Sequence, residues 1–133
     1  MKGLLPALHL SINGGVTALD QAQNFLDSGM DGVMIGRAAY HQPTDLLANA
    51  DAVIFGQDRA INPVNIVQQM MPYIHAHIEN GGRLNQITRH MLGLFTGRRG
   101  ARGWRRVLSE RAHCDGPELV LEALQRVIAP EAA

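Results

Sequence analysis

The stretch from Gly97 to Arg106 reads GRRGARGWRR, and it gathers Arg98, Arg99, Arg102, Arg105 and Arg106 around Trp104 in a chain that has a single lysine. Arginine offers a planar fork of donors that pairs with phosphate oxygens and stacks on exposed bases, which a lysine ammonium does not. At spacings of three and four residues these side chains crowd like charges on a helix, which destabilises it. With no acid among them, a polyanionic partner is the reading that accounts for that cost, the alternative being a solvated face. Trp104 shares a helical face with Ala101 and Leu108, so it reads as a core anchor and not as a stacking platform.

A second chemistry sits near the start. Asn13-Gly14-Gly15 closes one short apolar run and Gly36-Arg37 closes the next. A glycine pair lets backbone N–H groups approach an anion, and a helix beginning just beyond would turn its positive end to the same place. Arg37 adds a guanidinium. Each stretch alone reads as an ordinary turn; two of them in consecutive βα loops match the place where a βα barrel builds a phosphate cup.

Other reactive residues carry less. Cys114 is the single cysteine, so an internal disulfide is excluded and the thiol reads as a bystander. His75 and His77, two apart on a helix, point in different directions, and His9, His41, His90 and His113 lack ligand-like spacing, so no metal site is expected. No carboxylate pair or Ser-His arrangement stands out, and no catalytic residue is assigned.

The elements that would position these groups follow from periodicity. Leu8, Leu10 and Ile12 alternate with polar residues as in a strand. Thr17 stands at a helix cap with Asp20 three residues on, and Leu19, Ala22, Phe25 and Leu26 repeat at helical spacing to Gly29. Val33-Met34-Ile35 has the apolar character of a strand buried on both faces, with a further helix from about Ala38. Residues 56–62 lack a periodic pattern and end at Asn62-Pro63, a helix-start pair, so a domain boundary is placed there. Beyond it Val67, Met70, Met71, Ile74 and Ile78 mark a helix with Pro72 as a kink. Leu84, Ile87, Met91 and Leu94 mark a second, ending near Gly97. Ala101, Trp104 and Leu108 mark a third, and Asp115 caps a fourth that carries Val120, Leu124, Val127 and Ile128. Short connections favour an antiparallel bundle.

At 133 residues, 46% hydrophobic and 18% charged, the chain is not disordered. No apolar run reaches the length of a membrane span and no signal peptide is evident, so a cytoplasmic location is expected. The formal net charge of zero hides a partition: residues 83–111 hold eight arginines against Glu110, a net +7 offset by acidic flanks.

The stretches SINGGV, DGVMIGRAAYHQP and LNQITRHMLGLFTGRRGARGWRRVLSE closely resemble the A-type tRNA-dihydrouridine synthases over nearly the whole chain. The third is the most specific. The resemblance implies an FMN-dependent TIM barrel followed by a helical tRNA-binding domain, with NADPH as electron donor. On that basis residues 1–56 are the last two βα units of the barrel and residues 63–133 the helical domain, an α/β part followed by an all-α part. Asn13, Gly14, Gly15, Gly36 and Arg37 would hold the FMN phosphate, and Arg98, Arg99, Arg102, Arg105 and Arg106 would meet tRNA. The family's other barrel strands, flavin-ring contacts and uracil-protonating cysteine lie upstream of these motifs, so the chain alone is expected to be inactive. The alternatives are a non-catalytic RNA-binding fragment, or a flavin- or phosphate-binding barrel piece that acts with a complementary chain.

Overall fold

The computed structural model describes residues 2–4, 6–59 and 61–129. The expected domains extend over residues 1, 5 and 130–133, which lie outside the described residues. The chain divides into two compact units, Met1–Ala60 and Ile61–Ala133. The described residues are mostly helical, with one small sheet.

In the first unit β1 (Ser11–Asn13) and β2 (Gly32–Met34) pair in parallel, with Ile12 opposite Val33. The pairing extends one step outward, where the Asp31 N–H donates to the Leu10 carbonyl at 2.9 Å and the Leu10 N–H donates to Asp31 Oδ2 at 2.8 Å. The strand is shorter than the alternation from Leu8 suggests. Between the strands runs α1 (Leu19–Asp27), the crossover helix that parallel strands require. Its N-cap is Ala18, not Thr17: the Thr17 hydroxyl donates to the Gln21 side-chain oxygen at 3.4 Å, beside the Thr17 N–H at 2.9 Å, and caps no helix N–H. Asp20 likewise turns to the neighbouring Gln21 N–H. The helix closes at Ser28, whose hydroxyl donates to the Asn24 carbonyl at 2.7 Å.

The expected single helix after β2 is three short ones, α2 (Arg37–His41), α3 (Pro43–Leu47) and α4 (Ala50–Phe55). Pro43 has no N–H to continue α2, so the chain restarts there with proline in the first turn. The expectation of a strand buried on both faces also fails: Val33 is half-buried and Met34 is 52% exposed. The two-stranded sheet has too few neighbours to cover both its faces. Core positions in this unit are few, chiefly Val16, Ala22 and Leu46.

The second unit opens with α5 (Pro63–Glu79), whose N-cap Asn62 accepts the Val64 N–H at 2.9 Å. The helix runs on through Pro72, which removes one backbone bond without ending the element. After the Gly81-Gly82 turn, α6 (Leu84–Thr88) lasts only five residues. The expected helix to Gly97 is instead a succession of tight turns, with i to i−3 bonds at His90, Met91, Leu94, Thr96 and Arg98. Then follow α7 (Ala101–Arg111) and α8 (Glu118–Ile128), which pack closely on each other, with α5 against both α6 and α8. Asp115 does not cap α8. Its carboxylate is bound by Arg111 at 2.7 Å, and the N-cap position falls to Pro117.

Val67, Ile74, Phe95, Trp104 and Val120 are essentially inaccessible and form the centre of this unit. Trp104 stands edge-on to Phe95 with ring centroids 5.0 Å apart, and its indole N–H donates to the Met91 carbonyl at 3.0 Å. The same carbonyl accepts the Leu94 N–H at 3.1 Å, so the indole adds a second bond to an oxygen already engaged in a tight i to i−3 turn.

Candidate functional site: a glycine-lined cup and an arginine face

Asn13, Gly14, Gly15, Gly36 and Arg37 all line one cavity of about 690 Å³ at the ends of β1 and β2. Parallel pairing is what brings them together, since Asn13 lies opposite Met34 in register and both loops therefore leave the sheet on the same edge. Gly14 and Gly15 have φ of +122° and +71°, which a side chain would strain, so glycine is required there by the backbone itself. Gly36 has φ −97° and room for a Cβ, so nothing in its own conformation demands glycine. Its value at this position is an open approach to the backbone.

Among the described residues the N–H groups of Gly14, Gly15, Gly36, Arg37 and Ala38 donate to no protein acceptor, and the lining contains no carboxylate. Arg37 is exposed and in no ion pair. Free amide donors with one fixed cation suit a phosphate. The helix contribution is smaller than expected. Helix α2 has five residues, and α1 begins only at Leu19, past Gly15, so neither sets a full positive end at the glycine turn. The cup therefore depends on the amides and on Arg37. Thr17, His41 and Gln42 also line it, a set that sequence patterning did not single out; the only signal was their position just beyond each glycine turn.

In the second unit, α7 is sharply two-sided. Ala101, Trp104, Val107 and Leu108 are buried, while Arg102, Arg105 and Arg106 are exposed, as are Arg98 and Arg99 in the preceding turn. None of these five arginines has an ion pair or side-chain hydrogen bond among the described residues. Arg111, on the same helix, is bound to both Asp115 and Glu122. The Glu122 hydrogen bond first, and the Asp115 hydrogen bond second, hold its guanidinium pKa above the ordinary value. Two acids of the unit, Asp115 and Glu122, thus clamp Arg111, and among the described residues no acid pairs with the cluster.

Of the remaining residues singled out by type, His77 donates to Gln86 Oε1 at 2.9 Å and ties α5 to α6. Cys114 is exposed in the turn after α7. No helix among the described residues is long and apolar enough to cross a membrane.

The family description "Dihydrouridine synthase (Dus)" matches residues 2–129. This chain belongs to the dihydrouridine synthase family. It is 53% identical over 130 residues to the tRNA-dihydrouridine(20/20a) synthase of Shewanella oneidensis, an overlap of 96% of this chain and 38% of that protein. To the enzyme of the same name from Escherichia coli (strain K12) it is 48% identical over 131 residues, 97% of this chain and 37% of that protein. The Vibrio cholerae enzyme is 45% identical over 130 residues, 96% and 39% respectively. The chain spans less than two fifths of the length of these curated relatives.

Proposed function

We propose that the chain is the phosphate-cup and tRNA-binding portion of a tRNA-dihydrouridine synthase. In that reading residues 1–56 form the last two βα units of a TIM barrel and residues 63–133 the tRNA-binding domain. The observation that carries it is the convergence of Asn13, Gly14, Gly15, Gly36 and Arg37 on one carboxylate-free cavity, in a chain about half identical to enzymes of that name. FMN, when bound, supplies the hydride chemistry that reduces uracil, with NADPH as the electron source. This chain's part is to hold the phosphate end: Gly14 and Gly15 present amide N–H groups, Asn13 adds a side-chain amide at the rim, and Arg37 pairs with phosphate oxygens. The exposed arginines Arg98, Arg99, Arg102, Arg105 and Arg106 hold the tRNA backbone, and the modification takes place in the cytoplasm.

The 133 residues taken alone bind without turning over, because the only cysteine is Cys114, in the helical unit and outside the motifs that carry the resemblance. Fluorescence titration with FMN and with riboflavin tests the cup. Binding of FMN in preference to riboflavin supports it, and equal affinity for the two overturns it.

A further inference from the structure

Between α6, the turns that follow it and α7 lies a separate cavity of about 270 Å³. Its walls are Leu92 and Leu108, and its polar groups are Asn85, Arg89, Ser109, His113 and Thr88, whose hydroxyl already donates to the Leu84 carbonyl. Asn85 Nδ2 is committed to His113 Nδ1 at 3.2 Å. Asn85 Oδ1 is buried and accepts nothing. A buried carbonyl oxygen without a donor is unusual in a folded protein and needs a cause. Because His113 Nδ1 accepts, the neutral ring carries its hydrogen on Nε2, so His113, Ser109 and Arg89 bring donors to the lining and Asn85 brings an acceptor once its amide turns. Arg89 keeps guanidinium hydrogens to spare, since the bond assigned to it, to His90, uses Nε. Two apolar walls with a donor beside an acceptor match a flat heterocycle whose edge presents a donor beside an acceptor.

The surroundings narrow the class. Arg105 and Arg106 precede Ser109 by four and three residues on α7, so they are its neighbours on the helix surface, and all three are exposed. Anion-holding side chains one helical step from a base-sized cavity are arranged as a nucleotide is, with phosphate at the surface and base turned in. At about 270 Å³ the cavity falls just below the usual range of ligand sites, about 300 to 1,000 Å³, so it suits one base and not a larger ligand.

We propose that this cavity takes one unpaired nucleobase of RNA, read by the Asn85 amide, which turns its free oxygen into the cavity when the base enters. The proposal rests on the RNA-binding reading of the helical unit. It divides the labour there: the arginines position the strand, and Asn85 with Ser109 gives a preference among bases.

The test is fluorescence anisotropy of the full 133-residue chain with labelled single-stranded oligo-U, oligo-C and oligo-A of roughly eight nucleotides. The wild-type chain is expected to separate best from worst by about 5-fold or more in Kd. Asn85→Ala should narrow that spread to about 2-fold or less with the salt dependence unchanged. Ser109→Ala, at an exposed position, should narrow it in part, and it decides the matter should Asn85→Ala fail to fold by circular dichroism. Equal affinity of the wild-type chain for the three oligomers, or a spread that persists in the folded variants, overturns the base site while leaving the arginine surface standing. Failure of any RNA to bind overturns the RNA-binding reading and the base site with it.

Discussion

Arg37 and Trp104 show how differently a single side chain can matter in the two units. Arg37 is exposed and is the only guanidinium on the cup among the described residues. Arg37→Ala is therefore expected to leave the circular dichroism spectrum and melting temperature unchanged. It should also erase any preference for FMN over riboflavin, a loss of about 10-fold or more since charge-assisted hydrogen bonds to phosphate are worth about 1.5–3 kcal/mol. Retention of the preference in a titration would remove Arg37 from the cup. Trp104 is the opposite case, inaccessible and bonded to Met91. Truncation of a buried aromatic costs about 3–5 kcal/mol, and a unit of this size holds roughly 3–10 kcal/mol in total. Trp104→Ala should thus unfold most of the helical unit, read as lost ellipticity at 222 nm. Trp104→Phe, which keeps an aromatic body but loses the indole bond to the Met91 carbonyl, should fold with a lowered melting temperature.

At the scale of elements, the α7–α8 contact depends on the absence of a side chain. Gly100 has φ +83°, and a Cβ there would run into the Arg126 carbonyl oxygen. Gly103, one turn on, would meet only the Arg126 side chain, at 3.0 Å. Gly100→Ala should cost about 2 kcal/mol or more, from the left-handed backbone and the steric conflict together. Gly103→Ala should be near neutral, since the helix propensity it gains, about 0.5–1 kcal/mol, offsets the crowding. Urea unfolding of the two variants checks that order. Local signals made some of these elements legible and long-range ones hid others. Asn62-Pro63 was readable because an N-cap is settled within three residues, and Trp104 was readable because its apolar neighbours recur at helical spacing. The segment from Arg89 to Gly100 was not, because Leu84, Ile87, Met91 and Leu94 keep helical spacing while the Met91 carbonyl accepts the Leu94 N–H and the Trp104 indole, thirteen residues on, a pairing that spacing does not encode. Asp115 differs in that its partner is local: Arg111, four residues back at the end of α7, takes the carboxylate, and spacing alone does not decide between that ion pair and a helix cap. Of the cup, the five motif residues were legible, whereas Thr17, His41 and Gln42 join it only once the register of β1 and β2 is known.

The two units also differ in how their stability is secured. The first leaves Met34, Leu47, Val53 and Phe55 about half exposed or more, while the second encloses a continuous core. Limited proteolysis of the 133-residue chain should cut first within residues 6–59 and leave a resistant fragment beginning near Asn62. Resistance of the first unit in a demonstrated monomer would contradict this. Across the whole molecule the charge is zero, yet the segment 83–111 carries +7, and the structure leaves five of its arginines exposed and, among the described residues, in no ion pair. If about three of them reach phosphates, log affinity for tRNA should fall with log salt concentration at a slope near −2, at roughly 0.7 per contact on single strands. Glutamine at Arg102, Arg105 and Arg106 together should flatten that slope and weaken different tRNAs about equally, because phosphate contacts position the strand without reading it. Helical content should stay intact, since none of the three contributes to the core. Arg111 serves as the internal control. Its guanidinium is held by Asp115 and Glu122, so Arg111→Gln should leave the salt slope where it was and lower the melting temperature instead. An unchanged slope in the folded triple variant would make the arginine face a solvated surface and nothing more.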